Sequence, residues 1–290
     1  MSRRKVVPHL NLFCILFFAC GLATAQHPNS ETLHGTLVVA VPVRDGLVAC
    51  SDKRLFNADA GTYTDNFVKI REASSTALFV ATNTVGFYDR QTRTMAFDAT
   101  DVTSKYVASH DMATGRAFWD GLKKDISDQL HKYFASRKFA DWPLSDKANN
   151  NLLFNLVFYA IGQSNIRSYT VKVFYEKAQT PVIYISDPVS EEVRTPKLSG
   201  KGREVMNYIA GDPAMSSDPS ILRFDETYFN AQNTSVTDAV NFARKLFLFT
   251  NAKVPQAEVS STYDCSLLSY QDGFQWLTDS TPPDDQKAAK

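Results

Sequence analysis

Residues 36–50 constrain the fold more than any other stretch. Thr36 to Val43 reads TLVVAVPV, Arg44-Asp45-Gly46 follows, and Leu47 to Cys50 resumes the apolar run. Asp-Gly between two apolar, β-branched runs predicts a hairpin. Neither arm alternates polar with apolar residues, so both faces of the hairpin are expected to be buried. Covering layers are therefore needed, and the rest of the chain offers them. Short strands are expected at 66–70 and 77–81. Over 113–138 the period changes, and Phe118, Leu122, Ile126, Leu130 and Phe134 form one apolar stripe on a long helix. Strands return at 153–161, 168–175 and 181–186. Helices follow around 200–209 and at 235–249, the second with Val236, Val240, Ala243 and Phe247 on one face, and 258–270 reads as strand. This order predicts an α+β chain in which two sheets are covered by helices.

Residues 1–25 have the marks of a signal peptide. Arg3, Arg4 and Lys5 form a basic start, residues 10–22 are largely apolar, and Ala23-Thr24-Ala25 is a small-residue cleavage pattern before Gln26. The apolar run is shorter than the roughly 20 residues a spanning helix needs. The expectation is an exported protein, periplasmic or secreted, with no membrane attachment once the signal is cut. The full chain carries 31 basic and 31 acidic residues; without the three basic residues of the signal, 28 face 31. That balance gives no reason to expect nucleic acid as a partner. Cys50 and Cys265 survive signal removal, and they either pair in an oxidising compartment or stand as two separate buried thiols. No Cys/His spacing points to a metal, no cofactor is implied, and His110 and His131 read as surface residues. The tail 281–290, TPPDDQKAAK, polar with two prolines, reads as disordered.

The chemistry sits at the hairpin's open end. Thr36 follows Gly35, Asp52 closes the second arm, and Lys69 lies on the next expected strand. Antiparallel pairing makes the first residue of one arm a neighbour of the last residue of the other. If Thr36 becomes the N-terminus, its hydroxyl is a nucleophile and its own α-amine a base, with a pKa of about 8. A buried Lys69 would keep that amine neutral by like-charge repulsion, and Asp52 would keep Lys69 charged.

Thr36 to Arg54, TLVVAVPVRDGLVACSDKR, resembles the opening of a proteasome β-subunit and of its simpler bacterial relatives, members of the N-terminal-nucleophile hydrolases. The likeness covers the Thr after a Gly, the hairpin with its Gly turn, the Asp, the Arg two residues on, and a Lys one residue beyond the family spacing. It implies a four-layer αββα sandwich and hydrolysis of amide bonds through an acyl-enzyme at Thr36, with Asp52 and Lys69 completing the catalytic set. It also implies autocatalytic cleavage at Gly35–Thr36. Domains follow from it: signal peptide 1–25, propeptide 26–35, hydrolase domain 36–280, tail 281–290. Arg54 would brace the loop beside Lys69, and Ser260 and Ser261 are candidates for polar support. Asn83, in the pair Thr82-Asn83, falls where the family has oxyanion-binding glycines.

The chain departs from the family in three places. Gly200-Lys201-Gly202 stands for a Gly-Ser-Gly turn, Gln256 falls near an expected Asp, and Thr82-Asn83 replaces the glycine pair. Two readings follow. One is an exported threonine hydrolase of peptides or small amides, made as a zymogen. It would work without an ATP-driven unfoldase and could form a homo-oligomer by family resemblance. The other is a non-catalytic binding or structural subunit on the same fold.

Overall fold

A computed structural model of the chain describes residues 30–35, 37–57, 62–89, 92–147, 150–162, 165–254 and 258–277. The signal peptide, residues 26–29, Thr36, Gln256 and the whole tail 281–290 lie outside the described residues. The strands are β1 (Ser30–Gly35), β2 (Leu37–Val43), β3 (Gly46–Asp52), β4 (Leu55–Asn57), β5 (Thr62–Thr64), β6 (Ile70–Ser74), β7 (Ala77–Asp89) and β8 (Thr94–Asp98). They continue with β9 (Leu152–Ile161), β10 (Ile166–Glu176), β11 (Val182–Ile185), β12 (Val189–Glu192), β13 (Lys197–Gly200), β14 (Tyr263–Ser269) and β15 (Gly273–Trp276). The helices are α1 (Ala99–Val107), α2 (Arg116–Ala135), α3 (Gly202–Gly211), α6 (Val236–Lys253) and, between the last two, the single turns α4 (Pro213–Ser216) and α5 (Pro219–Leu222).

The expected hairpin is β2 and β3, paired antiparallel from Val38↔Ser51 to Val43↔Gly46, with every residue of both strands buried. Its two faces meet different cores, which explains the unbroken apolar run. Leu37, Val39, Val41, Val48 and Cys50 pack with Val205 and Ile209 of α3 and Ala239, Phe242, Leu246 and Phe247 of α6. Val38, Ala40, Leu47 and Ala49 pack instead with Ile70, Leu78, Val80, Val157 and Tyr159, which belong to the other sheet. That other sheet buries a separate cluster with α2, whose Phe118, Leu122, Ile126, Leu130 and Phe134 stripe is seated as its spacing predicts.

Two antiparallel sheets carry these cores: a ten-stranded one ordered β11-β10-β9-β7-β1-β4-β5, with β6, β8 and β12 attached, and a five-stranded one ordered β13-β2-β3-β14-β15. Mixed α+β architecture is therefore established. Several boundaries differ from the sequence reading. The strand expected at 66–70 begins only at Ile70, because Phe67 donates its N–H to the Lys53 carbonyl at 3.1 Å and holds 65–69 against the hairpin end. The strand expected at 77–81 runs to Asp89, since β1 and β8 pair with its far half. On α6 the buried stripe is Ala239, Phe242, Ala243, Leu246 and Phe247, with Val236 and Val240 at its margin. Cys50 and Cys265 stand opposite each other on β3 and β14 and form a disulfide. Among the described residues no helix is long and apolar enough to cross a membrane.

Candidate active site

Asp52 ends β3 with no exposure to solvent, and its position is set by the hairpin register. Its carboxylate is surrounded by donors. Oδ1 accepts the Leu37 N–H at 2.8 Å and the Lys69 Nζ at 2.9 Å. Oδ2 accepts the Arg54 N–H at 3.0 Å and the Ser260 N–H at 3.4 Å. A buried carboxylate needs such partners, because an unpaired charge away from water is heavily penalised. Lys69 is equally buried. Burial pulls its pKa below the ordinary lysine value, with Asp52 acting against that pull. Asp52 was expected from the sequence to hold Lys69 charged; in the fold, loss of solvent is the larger influence.

Thr36 lies outside the described residues, yet both its neighbours are placed. Gly35 ends β1 in the ten-stranded sheet, opposite Asn83 of β7. Leu37 begins β2 in the five-stranded sheet, opposite Gly200 of β13. The chain thus changes sheets between Gly35 and Leu37, and the Leu37 N–H is the one bonded to Asp52. Asn83, named from the sequence as an oxyanion residue, has φ of 68°, a left-handed conformation that glycine adopts most readily.

The other candidates sort by position. Arg54 grips Asp65 with two bonds, Nε to Oδ1 at 2.8 Å and an η-nitrogen to Oδ2 at 2.9 Å. It also donates to the Val259 carbonyl at 3.3 Å and lies 4.0 Å over the Tyr63 ring. Asp65 lies in the loop before Lys69 and is a partner for Arg54 that the sequence did not reveal. The hydrogen bond from Arg54 holds the Asp65 carboxyl below its usual range. Ser260 is fully buried, and its Oγ lies 2.7 Å from the Thr262 hydroxyl. Ser261 is exposed and is not brought to Asp52. Lys201 precedes α3, and its ammonium lies 3.5 Å from Glu204 on the same helix with the side chain 40% exposed, so it faces outward. His110 and His131 are exposed.

Sequence reasoning missed two further features. Lys53 and Asp264 form a second buried ion pair at 3.6 Å beside the first. More important, the segment expected only as a leader, Ser30–Gly35, is a strand flanked by β7 and β4. Among the described residues no group of His, Cys, Asp and Glu is arranged to hold a metal. No protein-family model matches the chain, and no curated protein matches it at a significant level.

Proposed function

We propose that the chain is the precursor of an exported amide hydrolase whose nucleophile is Thr36, uncovered by a cut between Gly35 and Thr36. The observation that carries this reading is the buried Asp52 carboxylate, which binds the Lys69 ammonium and the Leu37 N–H on the same oxygen. A buried lysine on the carboxylate that also holds the Leu37 N–H, its pKa pulled down by burial, supports a role in proton transfer at a threonine hydroxyl. The distribution of the three cores supports the finer architecture, helices, sheet, sheet, helices, of an αββα sandwich.

In maturation the Thr36 hydroxyl attacks the Gly35 carbonyl carbon, the Gly35–Thr36 C–N bond breaks, and the nitrogen takes a proton as the free α-amine. Water then hydrolyses the ester, leaving a Gly35 carboxylate and restoring the hydroxyl. In turnover the hydroxyl attacks a substrate amide carbonyl, the amine departs with a proton, and water releases the acyl group. Lys69 and the new amine relay the proton while Asp52 orients Lys69. Asn83, opposite Gly35, offers backbone near the developing oxyanion. The run of β1 antiparallel to β7 as far as Gly35 favours extended peptides over small amides. The disulfide agrees with an oxidising compartment.

A threonine-reactive β-lactone tests this directly. The adduct should map to Thr36 by peptide mass and vanish in Thr36→Ala together with hydrolysis. Retained hydrolysis in Thr36→Ala, or an adduct on another residue, sinks the proposal. One observation favours the non-catalytic reading: β1 is paired on both sides, as a permanent strand would be. In that case no cut follows Gly35.

A further inference from the structure

Asp65 lies in the stretch between β5 and β6 that leads into Lys69. Its carboxylate takes the forked pair of Arg54 bonds at 2.8 and 2.9 Å, and its carbonyl accepts the Thr262 hydroxyl at 3.5 Å. Farther along the same stretch the Phe67 N–H is bonded to the Lys53 carbonyl at 3.1 Å. Arg54 in turn donates its N–H to Asp52 Oδ2 at 3.0 Å and an η-nitrogen to the Val259 carbonyl at 3.3 Å. Ser260 gives Asp52 its N–H at 3.4 Å, and its hydroxyl helps to hold the Asp65 carboxyl low. Three segments therefore meet at Asp65: the end of β3, the turn at 258–262 and the loop that delivers Lys69.

Charge gives this meeting point a second consequence. Lys69 is fully buried, and Asp52 on β3, Asp65 in its own loop and Arg54 all act on it. The two carboxylates favour its charged form and Arg54 opposes it. The neighbouring buried pair, Lys53 and Asp264, is engaged at 3.6 Å. Loss of solvent already pulls the Lys69 pKa down, and an unbalanced guanidinium would pull it further. The Arg54 side chain is only 15% exposed, so water and salt screen it weakly. The Asp65 carboxylate sets a negative charge directly against it.

We propose that Asp65 is a positioning residue of the same site, a second carboxylate that fixes Arg54 and balances its charge beside Lys69. It acts through Arg54 and through the loop that carries Lys69. Its catalytic meaning rests on the hydrolase reading; its hold on Lys69 does not.

The experiment uses the full chain carrying Thr36→Ala, which cannot cut itself, with lysine labelled with carbon-13 at Cε. Lys69 is titrated by NMR, its signal assigned by loss in Lys69→Met. Asp65→Asn removes the charge and keeps the shape, so the Lys69 midpoint should fall by at least about half a pH unit. Asp65→Glu keeps the charge and should leave the midpoint at the parent value. An unmoved midpoint in an Asp65→Asn chain with native near-ultraviolet circular dichroism overturns the proposal, as does an equal fall in Asp65→Glu. If Asp65→Asn does not fold, the parent chain decides: the carbon-13 signal of the Asp65 carboxyl should step at the Lys69 midpoint, and a flat signal there overturns the proposal. In the chain with Thr36 intact, Asp65→Asn should move the pH profile of cleavage at Gly35–Thr36 down by the same amount as the midpoint. A moved midpoint with an unmoved profile would refute the catalytic meaning. Wild-type protein that never cleaves would dismiss the hydrolase reading and leave the Lys69 midpoint to decide on Asp65.

Discussion

Replacing Lys69 by Met removes the charge while retaining most of the stem, so the site is not hollowed out. What is lost is the 2.9 Å bond to Asp52, between two side chains with no exposure. Removing one member of a buried ion pair typically costs about 3–5 kcal/mol, mostly from the charge left behind. Here Asp52 keeps three backbone donors, Leu37, Arg54 and Ser260, at 2.8, 3.0 and 3.4 Å. Their presence points to the lower end, about 3 kcal/mol, or roughly a hundredfold in the folding equilibrium. The comparison belongs in a Thr36→Ala background, so that both proteins have the same covalent chain, and urea unfolding with the disulfide intact reads the difference. A loss below about 1 kcal/mol would show that the pair carries neither charge nor structure as argued.

Other consequences follow from named contacts. The disulfide joins strands 215 residues apart in sequence, so Cys50→Ala/Cys265→Ala should lose up to about 5 kcal/mol against urea, the chain-entropy limit for a loop of that length. Gly46 has φ of 150°, and a Cβ there would stand 2.0 Å from the Leu268 carbonyl oxygen; Gly46→Ala should therefore cost more than about 2 kcal/mol or prevent folding, and a neutral result would refute the hairpin's placement on β14. Asp65 has its carboxyl held low by Arg54, so its contribution is present above the unfolded value of 3.8 and lost as pH falls through the lower folded value. Asp65→Asn should remove that part of the acid limb in a pH series of unfolding midpoints. Lys201 pairs with Glu204 at the surface, so Lys201→Ser should leave the acidic limb of the pH–rate profile unmoved; an upward shift would place its charge at the amine.

The parts legible in the sequence were those that local pattern decides. The Asp45-Gly46 turn, the doubly buried arms and the Phe118-to-Phe134 stripe all follow from spacing within a few turns or residues. Helix α1 escaped notice because its stretch ATDVTSKYV is short and carries two threonines and two valines; its signal was the N-cap Asp98, which accepts the N–H groups of Thr100 and Asp101. Strand β1 was unreadable for a different reason. SETLHG is polar and too short to alternate clearly, and it is a strand because β7 and β4 provide partners from elsewhere in the chain. The same holds for the Cys50–Cys265 bond, which depends on the register between β3 and β14, and for Asp65, which nothing local links to Arg54. At the site, Asp52 and Lys69 were found from spacing, and their pairing at 2.9 Å agrees with it. Which of two adjacent serines turns inward was not legible, because it depends on the turn at 258–262 that brings Ser260 to Asp52.

The central claim is that Gly35–Thr36 is cut by the chain itself, and the intact mass with N-terminal sequence of the exported protein tests it most directly. The wild-type protein, denatured to release any bound leader, should begin at Thr36. Thr36→Ala and Lys69→Ala should both stop at Gln26. Wild-type protein that still begins at Gln26 after long incubation, indistinguishable from Thr36→Ala, would contradict the account and leave the buried Asp52–Lys69 pair as a purely structural feature.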